Sequence, residues 1–143
     1  MRTGNWTAQY TINAASAAVA TFTNMPAADA FLFSSTRHIV LADLSGMTYV
    51  RLKVNKQTTA ATSGAKLTLR YSPTFSTVVS DYIDIGITEV SVGVDVVNQY
   101  LTSSWVEIDS TALCYEDVYL AVVGSGGNGT LDPTFGNISV SFC

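Results

Sequence analysis

Charge is what this sequence has least of. Of 143 residues only 13% are charged, about half the ~25% usual in globular domains. Seven basic residues face eleven acidic ones, for a net charge of −4. Arg2, Arg37, Arg51, Lys53, Lys56, Lys66 and Arg70 form no dense cluster. Duplex binding requires several cations against phosphates, so nucleic acid is not an expected partner. Cysteine is nearly absent too. Cys114 and Cys143 show no metal-ligand spacing and read as free thiols; a bridge between them would imply an oxidising compartment. The alanine-rich run Ala14–Phe22 falls far short of the ~20 residues of a membrane helix, so no membrane is expected. Met1-Arg2-Thr3-Gly4-Asn5-Trp6 opens on no apolar leader core. The expectation is a soluble protein made in the cytoplasm, reaching an exterior, if at all, by a route such as lysis.

Hydrophobic residues are abundant, at 48%. A chain of this length buries about two-thirds of its unfolded surface, so it needs neither metal nor disulfide to hold a core. Ser and Thr supply much of the remaining polarity, a composition suited to assemblies or extracellular settings rather than to a highly charged soluble monomer.

Period-two alternation dominates the pattern. Val50, Leu52 and Val54 alternate with Arg51, Lys53 and Asn55. Leu67, Leu69 and Tyr71 alternate with Lys66, Thr68 and Arg70. Ile138, Val140 and Phe142 alternate with Asn137, Ser139 and Ser141. Such runs are strands with one buried and one wet face. Further strands are expected at Thr7–Ile12, Ala17–Thr23, His38–Asp43, Glu89–Val97, Ser104–Ile108 and Val118–Val123, with Tyr82–Ile85 weaker. Val118–Val123 is apolar on both faces, which suits a central strand or a subunit interface. Turn signals at Leu44-Ser45-Gly46, Thr62-Ser63-Gly64, Tyr71-Ser72-Pro73 and Gly124–Gly129 separate these runs. No long amphipathic helix is present. The expected fold is all-β: a two-sheet antiparallel sandwich, jelly-roll-like, of about eight or nine strands. Residues 1–16 read as an N-terminal arm or first strand and 17–143 as a single β-sandwich domain.

The chain offers little reactive chemistry. His38 is the one histidine; a Ser–His–Asp device needs three groups to converge, and no Gly-x-Ser-x-Gly elbow is present. His38 reads instead as a hydrogen-bonding residue at a strand start, or as a contact with a neighbouring subunit. Asp81/Asp84 and Glu116/Asp117 are the closest carboxylate pairs, and on a strand each pair points apart. Neither resembles an EF-hand loop, although a structural calcium between strands is the alternative. Gly124–Gly129 lacks the Gly-Lys-Ser/Thr of a phosphate loop and reads as a flexible hairpin. Asp132–Asn137 reads as a turn into the last strand, with Gly136 expected at positive φ. Trp105 reads as a core residue at the sandwich edge. The alternative is that Trp6, Trp105 and the tyrosines build a sugar-stacking platform.

Four blocks carry a family resemblance: Thr21–Ala28 followed by Ser35-Thr36-Arg37-His38; Ser63–Ser72; Asp117–Gly124; and Gly129–Ile138. Together they cover most of residues 21–142. They resemble a family of tailed-phage structural proteins, the jelly-roll decoration or cement proteins of icosahedral heads. The blocks are strand and turn motifs with no catalytic signature, and the first twenty residues and Cys143 lie outside them. The resemblance implies a non-enzymatic virion protein on the capsid surface. It would bind the major capsid protein, associate with itself as a homotrimer, and use no cofactor or metal. Trp6, Tyr10, Arg37 and His38 are the candidate partner-contact residues. Two other readings compete: a carbohydrate- or receptor-binding tail module, which makes a glycan the alternative ligand, and a hydrolase on the same scaffold.

Overall fold

The computed structural model describes residues 8–11, 20–21, 25–32, 39–57, 63–93 and 97–143. Among the described residues lie eleven strands: β1 (Ala8–Thr11), β2 (Ala20–Thr21), β3 (Ala30–Phe31), β4 (Val40–Asp43), β5 (Tyr49–Lys56), β6 (Lys66–Ser72), β7 (Ile83–Ser91), β8 (Gln99–Thr102), β9 (Val106–Glu107), β10 (Asp117–Ser125) and β11 (Thr134–Phe142). Two short 3-10 turns, Val79–Asp81 and Ala112–Cys114, are the helical pieces among the described residues.

The first sheet runs β1-β11-β5-β8, with β2 also on β11 and β9 also on β5. The second runs β3-β10-β6-β7, with β4 also on β10. All pairings are antiparallel. The eleven segments occupy eight positions, because three positions are each split in two. β1 and β2 line one side of β11. β3 and β4 line one side of β10, and β8 and β9 line one side of β5. The partnerships are nested: first position with last, second with seventh, third with sixth, fourth with fifth. That winding, split over two facing sheets, is the jelly roll.

Side-chain parity puts the core between the sheets. Val50, Leu52 and Val54 from β5 and Ile138, Val140 and Phe142 from β11 meet Leu67, Leu69 and Tyr71 from β6 and Val118, Leu120 and Val122 from β10 in one buried cluster. β10 is central, flanked by β3 and β4 on one side and β6 on the other. Lys56 continues the inward parity of Val50, Leu52 and Val54 and is fully buried and engaged.

Several expectations are corrected. Glu89–Val97 is not one strand. β7 ends at Ser91, and the Val92 and Gly93 N–H groups both donate to the Ala65 carbonyl, at 2.9 and 3.1 Å. The chain then crosses to the first sheet, where Asn98 takes a φ of 52° before β8. Gly136 is not at positive φ. It sits at the register shift of β11, where a Cβ would crowd the Gln57 and Asn55 side chains. The Gly124–Gly129 stretch is not a free hairpin. Gly126, Gly127 and Gly129 donate to the carbonyls of Ala27, Pro26 and Met25, and Met25 donates back to Leu131. At Gly127 a Cβ would lie 2.1 Å from the Met25 oxygen, so the two backbones meet only because that side chain is missing.

Candidate functional site

The two outer faces of the sandwich differ in chemistry. On β10, Tyr119, Ala121 and Val123 alternate outward against the inward Val118, Leu120 and Val122. Ala121 and Val123 are buried yet stand outside the inter-sheet core. The segment between β6 and β7 accounts for this by folding over the outer face of the second sheet. Phe31 lies opposite Val123, and Tyr82 meets the Phe31 ring edge-on with centroids 5.4 Å apart. Phe75 meets Tyr119 edge-on at 5.7 Å. The segment is tied down by its own polar groups. The Tyr82 hydroxyl donates to the Ser76 carbonyl at 2.9 Å, and the Ser76 hydroxyl donates to Asp81. Arg70, opposite Ala121, reaches Asp29 at 2.7 Å and Asp84 at 3.1 Å.

This cover is partial. Leu41 lies directly opposite Tyr119 across the β4–β10 pair and remains 52% exposed, with Phe75 49% and Val78 53% exposed. Leu41, Tyr119 and Phe75 thus form a continuous apolar strip, where an antiparallel sandwich normally presents polar side chains. Exposed apolar patches framed by polar groups are where proteins bind one another.

The outer face of the first sheet is polar and aromatic. The Arg51 guanidinium carbon lies 4.5 Å from the Trp105 ring centroid, and the Lys53 ammonium 4.5 Å from that of Tyr100. Both rings stand open, Trp105 at 41% and Tyr100 at 51%. Trp105 is therefore not a core residue: it sits in the turn between β8 and β9, outside the sheet, and covers Arg51. Asn55, Gln57 and Asn98 form an amide cluster beside them, with Gln57 Nε2 donating to both asparagine oxygens.

Of the residues expected to make partner contacts, Trp6, Arg37 and His38 lie outside the described residues. Tyr10 falls in β1, paired with Val140. Nothing described brings the four together. Arg37 and His38 belong to the stretch between β3 and β4. Cys114 and Cys143 are both free thiols. Asp81 and Asp84 are separated in role, the first bonded to Ser76 and the second to Arg70. Among the described residues no three His, Cys, Asp or Glu side chains gather as a metal site would require. The strip on the second sheet was missed at the sequence level. Phe75 occupies a turn-rich stretch, and only the folded loop brings it onto Tyr119.

Two buried tyrosines give this architecture a pH signature. Tyr71, inside the core, is raised above the ordinary 10.0 by burial first, then by Asp109, Tyr115 and Cys114. Tyr82 is also raised, by burial first and by Asp81 and Tyr119, against a lowering hydrogen bond with Ser76. Both phenols stay protonated in the folded protein at pH values where the unfolded chain has lost the proton. Their contribution is complete below about pH 10 and is lost as pH rises through the higher folded values. Thermal melts should be flat in this respect from neutral pH to about 9 and fall above about 10. Tyr71→Phe/Tyr82→Phe should fall less steeply over the same range; an identical slope would contradict the assignment.

Compared with protein-family models, curated proteins and solved structures, the chain has no match.

Proposed function

We propose that this chain is a non-enzymatic virion protein, a capsid decoration or cement protein that binds the outer surface of a tailed-phage head and stabilises it. One observation carries the proposal: the exposed strip Leu41–Tyr119–Phe75, with Val78 in the same loop as Phe75, on the outer face of the second sheet. The strand and turn blocks resembling head cement proteins support the same reading, as does a chain only 13% charged. The partner is the major capsid protein, and self-association as a homotrimer would set several such strips around one symmetry axis.

The mechanism is burial of apolar area. Each square ångström removed from water contributes about 25 cal/mol, less the cost of ordering side chains and restricting the docked body. Single contacts can be weak, because copies repeated around a shell act together. Particles produced without this chain should lose infectivity sooner on heating and under osmotic shock than complete particles, and adding back the purified protein should restore resistance. Particles equally resistant with and without it would contradict the proposal.

A further inference from the structure

We propose a second binding site, on the outer face of the first sheet, that takes an acidic carbohydrate chain along the row Trp105–Arg51–Lys53–Tyr100. Two strands that carry outward cations in the same way treat them differently. β5 carries Arg51 and Lys53 outward, and β6 carries Lys66 and Arg70 outward. On β6 both cations are neutralised: Lys66 by Glu89 at 3.1 Å, Arg70 by Asp29 and Asp84. On β5 neither cation forms an ion pair among the described residues. Each lies against an aromatic ring instead, both at 4.5 Å.

A ring does not use up a cation's hydrogen bonding. A guanidinium stacked over indole keeps its in-plane donors, and these match a carboxylate in fork geometry. Arg51 Nε is shielded from water and has no hydrogen-bond partner among the described residues; a carboxylate would meet the fork of terminal guanidinium N–H groups rather than Nε. The aromatic faces add the second half of a sugar site, since their negative π surface attracts the polarised C–H face of a pyranose. The unit occurs twice. Arg51 and Lys53 stand two residues apart on one strand face, roughly 7 Å at the usual rise, each with its own ring. A duplicated cation-plus-ring unit fits a polymer with repeating acidic residues better than a single small anion. Hydroxyl and amide groups frame it: Ser141 opposite Arg51, Ser139 and Thr102 opposite Lys53, and Asn55 opposite Tyr100.

Charge decides between polyanions. The chain is −4 overall, and Glu107, opposite Tyr49, stands on the same face one row from Arg51. A phosphate backbone calls for several cations along its length and this face offers two, whereas a hydroxylated chain can add hydrogen bonds to the neutral Ser, Thr and Asn side chains beside them. The site is separate from the capsid-docking strip, being on the opposite sheet.

Titration of the full chain with tetragalacturonate, maltotetraose and a dT oligonucleotide, followed by calorimetry, tests the assignment. Tetragalacturonate should bind, and the neutral maltotetraose should bind roughly tenfold more weakly or not at all. Arg51→Gln/Lys53→Gln, with its melting temperature checked against wild type, should lose roughly tenfold or more in affinity. Trp105→Ala should also weaken binding while keeping both cations. Leu41→Asp/Phe75→Asp should bind tetragalacturonate like wild type, which separates this site from the docking strip. No binding of tetragalacturonate, unchanged affinity in folded Arg51→Gln/Lys53→Gln, or tighter binding of the oligonucleotide would each overturn the proposal.

Discussion

Leu41→Asp/Phe75→Asp is expected to abolish attachment to the capsid while leaving the fold intact. Both side chains are about half exposed already, so their removal opens no cavity between the sheets. Neither belongs to the inter-sheet cluster. In a docked complex the substitution would remove two apolar anchors and place two carboxylates where water is excluded. Truncating a central interface residue typically costs about 2 kcal/mol or more, a factor of about 30 in affinity, and an unpaired buried carboxylate adds to it. Co-sedimentation with particles stripped of the protein, at sub-saturating concentration, reads the result directly. Wild-type occupancy by a variant with an unchanged melt would show that docking uses another surface.

Phe135→Ala should be the most destabilising single change. Phe135 is fully buried in the inter-sheet cluster. It is also paired on both sides of β11, with Ala20 of β2 and Lys56 of β5, just before the register shift. Collapse around the vacated volume would need the bulge itself to move. Large-to-small changes of this kind cost about 3–5 kcal/mol, a large part of the ~5–15 kcal/mol by which domains are stable. Urea denaturation should show the midpoint falling with little change in slope. Ile87→Ala, on the exposed face of edge strand β7, should cost no more than about 0.5 kcal/mol. A loss at Phe135 no larger than at Ile87 would contradict the packing described.

The fold was largely legible in the sequence, for a physical reason. Alternation fixes which side chains share a face, and β5, β6 and β11 bury the residues their parity indicated. β10 was recognisable as central because both of its faces are apolar. Lys56 was legible by the same parity, two residues after Val54, but its charge hides it in a search for apolar positions. What alternation does not encode is the sheet to which a strand belongs. Glu89–Val97 keeps a period-two look across the point where the chain leaves the second sheet for the first, so the break at Val92 was invisible. The three split edge positions were visible only in part: the strands expected at Thr7–Ile12, Ala17–Thr23, His38–Asp43 and Ser104–Ile108 contain β1, β2, β4 and β9, but β3 and β8 are too short to carry a pattern.

The contact surfaces were less legible, because each is assembled from distant segments. Phe75 reaches Tyr119 only through the folding of residues 73–82 over the second sheet. Trp105 looks like a core tryptophan in a stretch of alternating character, and its place over Arg51 depends on the turn between β8 and β9. Trp6, Arg37 and His38 belong to the family-like blocks and the expected arm, and they lie outside the described residues. The two faces now give distinct expectations: an apolar one for a protein surface and a cationic, aromatic one for an acidic glycan.

A three-dimensional reconstruction of the virion encoded with this chain tests the central claim most directly. Sandwich-shaped density should cover the outside of the head at repeated symmetry positions, with the Leu41–Phe75 face turned toward the major capsid protein. A head bearing no such density, with the chain found only on the tail or absent from the particle, would contradict it.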